Sequence, residues 1–223
     1  MPATDLSFCH ARRMAEHESF VQLLTPAGQR RSHPDYEVDL TDAQYLQLYS
    51  DLVTVRRLDA EAVVLQRQGE LGLWPSLLGQ EAAQIGSGRA LCQQDVVFPS
   101  YREHAVAWCR GLDSAAAIRL FRGVDHGSWD PQTVNFHGYS IVIGAHTLHA
   151  TGYAMGIAKD GSLGGAQAPA VIAYFGDGAT SEGETNEALI WSGVFTAPVV
   201  FFCQNNQYAI SAPTHRQSRV PLH

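Results

Sequence analysis

The stretch Gly176-Asp177-Gly178, followed after 26 residues by Asn205-Asn206, decides the fold of this chain. The apolar run Ala170–Phe175 leads into the first group, and the apolar run Pro198–Cys203 leads into the second. A helical stretch from about Glu182 to Phe195 separates them. A strand, a helix and a second strand in this order predict a crossover unit of a parallel sheet. Both polar groups then lie at the carboxyl ends of neighbouring strands, where open α/β sheets bind their ligands.

The residue types indicate the ligand. Asp177 offers a carboxylate oxygen and Asn206 an amide oxygen, and both suit Mg²⁺, which usually takes its other ligands from phosphate and water. The flanking glycines let the backbone approach a phosphate, and the helix near Glu182 would add its amide dipoles. These residues predict a magnesium-bridged diphosphate. The alternative is that the first group is only a turn and the second only a loop.

The sequence around these motifs resembles the alpha subunit of the thiamine diphosphate-dependent, decarboxylating component of 2-oxo acid dehydrogenase complexes. Within that family it resembles the branched-chain and pyruvate members. The resemblance runs from about Thr41 to Thr214. It implies an α/β thiamine diphosphate-binding fold, a mostly parallel sheet flanked by helices, incomplete at the C-terminus. Besides the signature at 176–206, three stretches match in order: Leu78-Gly79-Gln80-Glu81-Ala82, Ser100-Tyr101-Arg102-Glu103-His104 and Ile143-Gly144-Ala145-His146.

The resemblance also implies the site residues. Mg²⁺ would be held by the side chains of Asp177 and Asn206 and by the backbone carbonyl of Tyr208. Ala179 would offer its amide to the diphosphate, and the backbone at Ile141 and Ile143 would line the aminopyrimidine ring. The full set of expected cofactor-binding residues is Tyr101, Arg102, Ile141, Ile143, Gly176, Asp177, Gly178, Ala179, Asn206 and Tyr208.

Other polar residues leave alternatives open. Arg102 follows an apolar strand, where its guanidinium fork suits a phosphate, but an ion pair with Glu103 or Asp95 is the other interpretation. No catalytic residue is assigned. His137 and His146 are candidates, although a lone histidine is more often structural. We expect His146 and His149 in a loop beside the cofactor.

The activity implied by the resemblance is oxidative decarboxylation of a 2-oxo acid, with a branched-chain acid favoured and pyruvate close behind, and acyl transfer to a lipoyl acyltransferase core protein. In the family the activating glutamate comes from a beta subunit, so this chain would supply half an active site in an alpha2-beta2 heterotetramer. Glu81 and Glu103 are the candidates within the chain. Gln204 stands where branched-chain relatives can have an arginine that touches the diphosphate. Two alternatives are the cofactor half of a split transketolase-like enzyme and a non-catalytic remnant that only binds the beta subunit.

Composition agrees with a globular protein, since 45% of the residues are hydrophobic and 17% are charged. A net charge of −7 argues against a nucleic-acid surface. No apolar run approaches the ~18 residues that span a membrane, and the N-terminus has no signal-peptide core. We expect a cytoplasmic location. Cys203 lies in an apolar run, which predicts an inert core thiol.

The expected domains are an N-terminal arm, residues 1–34, poorly ordered, and a truncated thiamine diphosphate domain, residues 35–223. Thr41 and Gln44 form a capping box that begins a long helix, which should end near Gln68-Gly69. Family alpha subunits run past residue 223, so we expect a truncated chain that folds marginally by itself. The remaining expected elements are helices at 78–91, 104–110 and 114–121, a strand at 95–98 and a loop at 123–140.

Overall fold

The computed structural model describes residues 21–165 and 167–219 of the chain. Residues 1–20 of the expected arm lie outside this part, so the proposed domain boundary stays a prediction. The helices are α1 Asp42–Arg67, α2 Glu81–Ala90, α3 His104–Cys109, α4 Ser114–Arg122, α5 Pro131–Val134, α6 Ala145–Lys159, α7 Gly183–Phe195 and α8 Thr214–Gln217. The strands are β1 Val96–Phe98, β2 Val171–Gly176, β3 Val199–Gln204, β4 Tyr208–Ala209 and β5 Ala212–Pro213.

The central sheet is parallel and has the order β1-β2-β3. Strand β2 lies in the middle, and its register places Gly176 opposite Gln204 of β3. The predicted crossover from β2 through α7 to β3 is therefore confirmed, and so is the α/β class. Strands β4 and β5 form a separate antiparallel hairpin after β3.

Helices cover both faces of β1 and β2. On one face Val97, Ile172 and Tyr174 pack with Val106 of α3. On the other face Val96, Val171 and Ala173 pack with the α6 residues Ala150 and Ala154. Alternate side chains of a strand point to opposite faces, so a central strand covered on both sides reads as a continuous apolar run. This is why β2 could be predicted from its composition.

The first helix begins where its sequence signal predicts. The Thr41 amide donates to Gln44 Oε1 over 2.8 Å, and the Gln44 amide donates to Thr41 Oγ1 over 3.4 Å, which completes the capping box. The helix ends at Arg67, and Gly69 follows with a φ of +79°. Helix α2 begins three residues later than predicted, because a turn in which the Gln80 amide donates to the Leu77 carbonyl precedes it.

Three predictions about local structure are wrong. His146 and His149 lie in α6 and not in a loop. The expected loop at 123–140 contains the short helix α5, and Phe136 forms a parallel bridge to Val97. Cys203 is exposed and not buried, because β3 is the last strand of the described sheet. Within the described residues, no helix is both long enough and apolar enough to cross a membrane.

His104, at the start of α3, is buried in an aromatic cluster. Its ring stacks on Trp74 with centroids 4.2 Å apart. Nε2 donates to the Pro75 carbonyl over 3.1 Å, and Nδ1 accepts from the Tyr139 hydroxyl over 3.1 Å. Burial disfavours the charged ring and lowers the pKa of His104 from 6.5 to about 4.

This histidine should make stability depend on pH. Between pH 6.5 and about 4 the unfolded chain binds a proton at His104 that the folded chain does not, so the free energy of unfolding falls as the pH falls. Between pH 7 and pH 4.5 we expect the native chain to lose about 2 kcal/mol more than a His104→Gln variant, as measured by urea denaturation. The exposed His215, changed to Gln, is the control and should keep the native dependence. Equal pH dependence in the native chain and His104→Gln would contradict the assignment.

Candidate functional site

A cleft of about 500 Å³ lies at the carboxyl ends of the parallel strands. Three turns form its walls: Ser100–Glu103 after β1, Gly176–Ala179 after β2, and Asn206–Ile210 after β3. The start of α6 and Gln217 of α8 close the remaining sides. The cleft therefore lies where the sequence predicts a ligand site.

The cleft brings together most of the residues that the sequence singles out. Ile141 does not line it and is exposed on the segment before α6. His137 does not line it either, and its ring stacks on Phe98 with centroids 4.0 Å apart. The ligand roles of the residues at the cleft stay predictions. The predicted residues that line the cleft are Tyr101, Arg102, Ile143, His146, Gly176, Asp177, Gly178, Ala179, Asn206 and Tyr208.

Asp177 and Asn206 enter the cleft from neighbouring turns. Asp177 is 1% exposed, and its Oδ2 accepts from Gln217 Nε2 over 3.4 Å. The Tyr208 amide donates to Asn206 Oδ1 over 2.9 Å, and this local bond orients the Asn206 amide while leaving its oxygen a second lone pair. Among residues 21–165 and 167–219, no group of three or more His, Cys, Asp and Glu side chains could hold a metal ion. A cation in the cleft would therefore need amide, carbonyl and ligand oxygens besides the Asp177 carboxylate.

Two glycines of the cleft wall have little room for a side chain. A Cβ on Gly178 would lie 2.8 Å from the Cβ of Ala209, which belongs to β4. Gly144, the N-cap of α6, has a φ of +80°, and its Cβ would lie 2.8 Å from Thr185 Oγ1. Gly178 thus lets the β4–β5 hairpin approach the turn that carries Asp177.

Arg102 supplies positive charge to the cleft. Its guanidinium donates to the Ser76 carbonyl and lies over the Tyr101 ring, 5.4 Å from the ring centroid. In the described part of the chain it forms no ion pair with Glu103 or Asp95, so the alternative interpretation of this arginine is wrong. Its charge is available to an anionic ligand.

The two candidate glutamates differ in their surroundings. Glu81 lies outside the cleft and is paired with Arg56, whose Nε donates to it over 2.8 Å. Glu103 lines the cleft, is 1% exposed, and accepts from Gln204 Nε2 over 2.6 Å and from the Ser100 amide over 2.7 Å. Burial raises the pKa of Glu103 above its ordinary value.

Several buried polar atoms around the cleft have no partner among the described residues. His146 Nε2 donates to the Tyr174 carbonyl over 2.5 Å, so Nδ1 is an acceptor in the neutral ring, and it is unpaired. Burial lowers the pKa of His146, which favours this neutral form. Gln217 Oε1 and Thr185 Oγ1 are also unpaired, and Thr185 lies directly behind Gly144. Unpaired buried groups are costly. Of these three residues, His146 and Gln217 line the cleft and Thr185 does not.

Sequence reasoning assigned no cofactor-binding role to several polar residues that line the cleft, among them Gln80, Ser100, Gln204 and Gln217. The first two belong to the matched stretches, and Gln204 directly precedes the asparagine pair, so their neighbourhood carried the signal. Gln217 had no such signal in the sequence, because it contacts Asp177 from 40 residues away along the chain.

Comparison with known proteins gives consistent matches. The model of the family described as "Dehydrogenase E1 component" matches residues 50–222. The chain is 42% identical over 203 residues to the 3-methyl-2-oxobutanoate dehydrogenase subunit alpha of Mycobacterium tuberculosis, covering 90% of this chain and 53% of the relative. It is 39% identical over 180 residues to the pyruvate dehydrogenase E1 component subunit alpha of Bacillus subtilis, covering 81% of this chain and 47% of the relative.

The chain spans about half the length of these curated relatives. The matched residues 50–222 include the three parallel strands and every turn that walls the cleft. The chain belongs to the Dehydrogenase E1 component family.

Proposed function

We propose that this chain binds the magnesium-diphosphate end of thiamine diphosphate, as the alpha-subunit part of an enzyme that oxidatively decarboxylates a 2-oxo acid and passes the acyl group to a lipoyl carrier protein. The observation that carries the proposal is the cleft, where Asp177, Asn206 and the Arg102 guanidinium enter from three adjacent turns. The family match supports it and favours it over a split transketolase-like enzyme.

The donor set fits the group. Mg²⁺ prefers oxygen ligands and keeps phosphate oxygens and water among them. The Asp177 carboxylate, the Asn206 amide oxygen and the Tyr208 carbonyl would hold it. Arg102 would pair with the diphosphate, and the Ala179 amide would donate to it. When bound, the cofactor supplies the carbanion chemistry that decarboxylates 2-oxo acids.

This chain's own residues would bind and orient the cofactor, and a beta subunit would complete the site. Both candidate glutamates have protein partners: Glu81 pairs with Arg56, and Glu103 accepts from Ser100 and Gln204. Two residues that line the cleft are exposed, Ile143 at 41% and Tyr208 at 56%, which suits an interface with a partner. The names of the relatives support a branched-chain substrate first and pyruvate second.

Binding of the cofactor tests the proposal. Isothermal titration of the full chain with thiamine diphosphate should show binding that requires Mg²⁺. Inorganic pyrophosphate should compete and thiamine should not, because the chain grips the diphosphate end. Asp177→Asn should weaken binding at least about tenfold, since a neutral amide is a poorer magnesium ligand. Asp113→Asn, at the N-cap of α4 outside the cleft, is the control. Binding without Mg²⁺, or unchanged binding by Asp177→Asn, would refute the proposal.

The close approach at Gly178 gives a second prediction. Gly178→Ala adds a Cβ 2.8 Å from Ala209, so the β4–β5 hairpin must shift, and with it Tyr208. We expect the dissociation constant for magnesium thiamine diphosphate to rise at least about tenfold. Gly183→Ala is the matched control, because nothing lies within 4 Å of its added Cβ. Equal affinities of the two variants would show that the hairpin does not shape the site.

A further inference from the structure

We propose that Glu103 and Gln204 are positioning residues that hold the turn after β1 and the end of β3 in the one arrangement in which Arg102 and Asn206 can grip a diphosphate together. The inference rests on the proposed function. It follows from a chain of partly buried hydrogen bonds whose direction is fixed at its far end by Gln84.

Gln84, in α2, has only one possible amide orientation. Its Oε1 accepts from the Ala105 amide over 3.2 Å, and its Nε2 donates to the Arg102 carbonyl over 3.2 Å. A backbone amide only donates and a carbonyl only accepts, so the Gln84 side chain cannot be reversed without losing both bonds. Gln84 is fully buried, and water cannot replace those bonds.

The fixed orientation of the Gln84 amide determines the orientation of the Gln204 amide, and through it which hydrogen bonds Glu103 accepts. Gln84 Nε2 also donates to Gln204 Oε1 over 3.2 Å, which leaves Gln204 Nε2 to donate to Glu103 Oε1 over 2.6 Å. The other oxygen, Glu103 Oε2, accepts from the Ser100 amide over 2.7 Å and from the Ser100 hydroxyl over 2.8 Å. Both oxygens of Glu103 therefore accept hydrogen bonds, which the carboxyl group of a glutamate allows and the amide of a glutamine, with only one oxygen, does not.

The bond between Glu103 and Gln204 joins the two halves of the diphosphate site. Glu103 directly follows Arg102, and Gln204 lies two residues before Asn206. These segments are 101 residues apart in sequence. Both ends of the Gln204 amide are engaged within the protein, so this residue does not take the place of an arginine that touches the diphosphate. Its role is to fix the distance between the segment that carries Arg102 and the segment that carries Asn206.

Replacing Glu103 with glutamine should break the chain of bonds. The new amide places a donor against either Gln204 or Ser100, and reversing Gln204 only moves the conflict to Gln84. In the ligand-free chain, amide hydrogen exchange at Ser100 should speed up at least about tenfold. The dissociation constant for magnesium thiamine diphosphate should rise by a similar factor.

The double variant E103Q/Q204E tests whether the direction of the hydrogen bonds, and not only the size of the two side chains, holds the turns. In this pair the amide at 103 donates to the carboxylate at 204, whose other oxygen accepts from Gln84, so the protection of the Ser100 amide should return. Tyr174→Phe is the control. It removes the partly buried 2.9 Å hydrogen bond that the Tyr174 hydroxyl donates to Ser87, which belongs to neither turn, and should keep native exchange and affinity.

The outcomes distinguish the positioning role of Glu103 and Gln204 from the proposed cofactor binding. Native exchange and affinity in E103Q, or exchange in E103Q/Q204E no slower than in E103Q, would overturn the positioning role. If E103Q does not fold, Gln204→Leu serves instead, and native affinity in that variant would equally overturn it. Failure of the native chain to bind magnesium thiamine diphosphate would overturn the proposed function, while the exchange measurement would still decide whether the bonds lock the turns.

Discussion

The parallel pairing of β2 with β3 is the constraint on which the rest of the site depends. Because Gly176 lies opposite Gln204, the chain leaves the sheet at neighbouring points, with Asp177 on one side and Asn205-Asn206 on the other. A slip of one residue would turn the alternating side chains of β3 to the wrong faces. Phe201 would then leave the α6 face and Phe202 the α3 face, so packing of the core and geometry of the site are set by the same register.

Side chains of the turns around the cleft accept from backbone amides of the same turns, and charged groups remain for a ligand. Asn206 accepts from the Tyr208 amide, and Glu103 accepts from the Ser100 amide. The turns are thereby held without a ligand, as preorganised binding requires. What remains at the cleft is the Arg102 charge and the Asp177 carboxylate. This division between atoms that hold the turns and atoms that face the ligand supports a binding site for a polar anion with a cation.

The elements that could be predicted from the sequence are those with a local signal. The apolar runs before Gly176 and Asn205, and the capping box at Thr41, are of this kind. Helix α6 was missed because Ala145–Lys159 has no polar and apolar alternation of helical period. Its small residues Ala150 and Ala154 can be identified as core residues only from their packing on the sheet. Gln84 was missed as well, since its partner Gln204 lies 120 residues away and no local pattern records such a contact.

The most direct test of the account is a crystal structure of the chain with thiamine diphosphate and Mn²⁺ in place of Mg²⁺, because manganese can be located by its anomalous scattering. The account predicts one manganese peak within coordination distance of the Asp177 carboxylate, the Asn206 amide oxygen and the Tyr208 carbonyl, with the diphosphate against Arg102. A manganese ion bound elsewhere, or a diphosphate that does not contact the turns after β2 and β3, would contradict it.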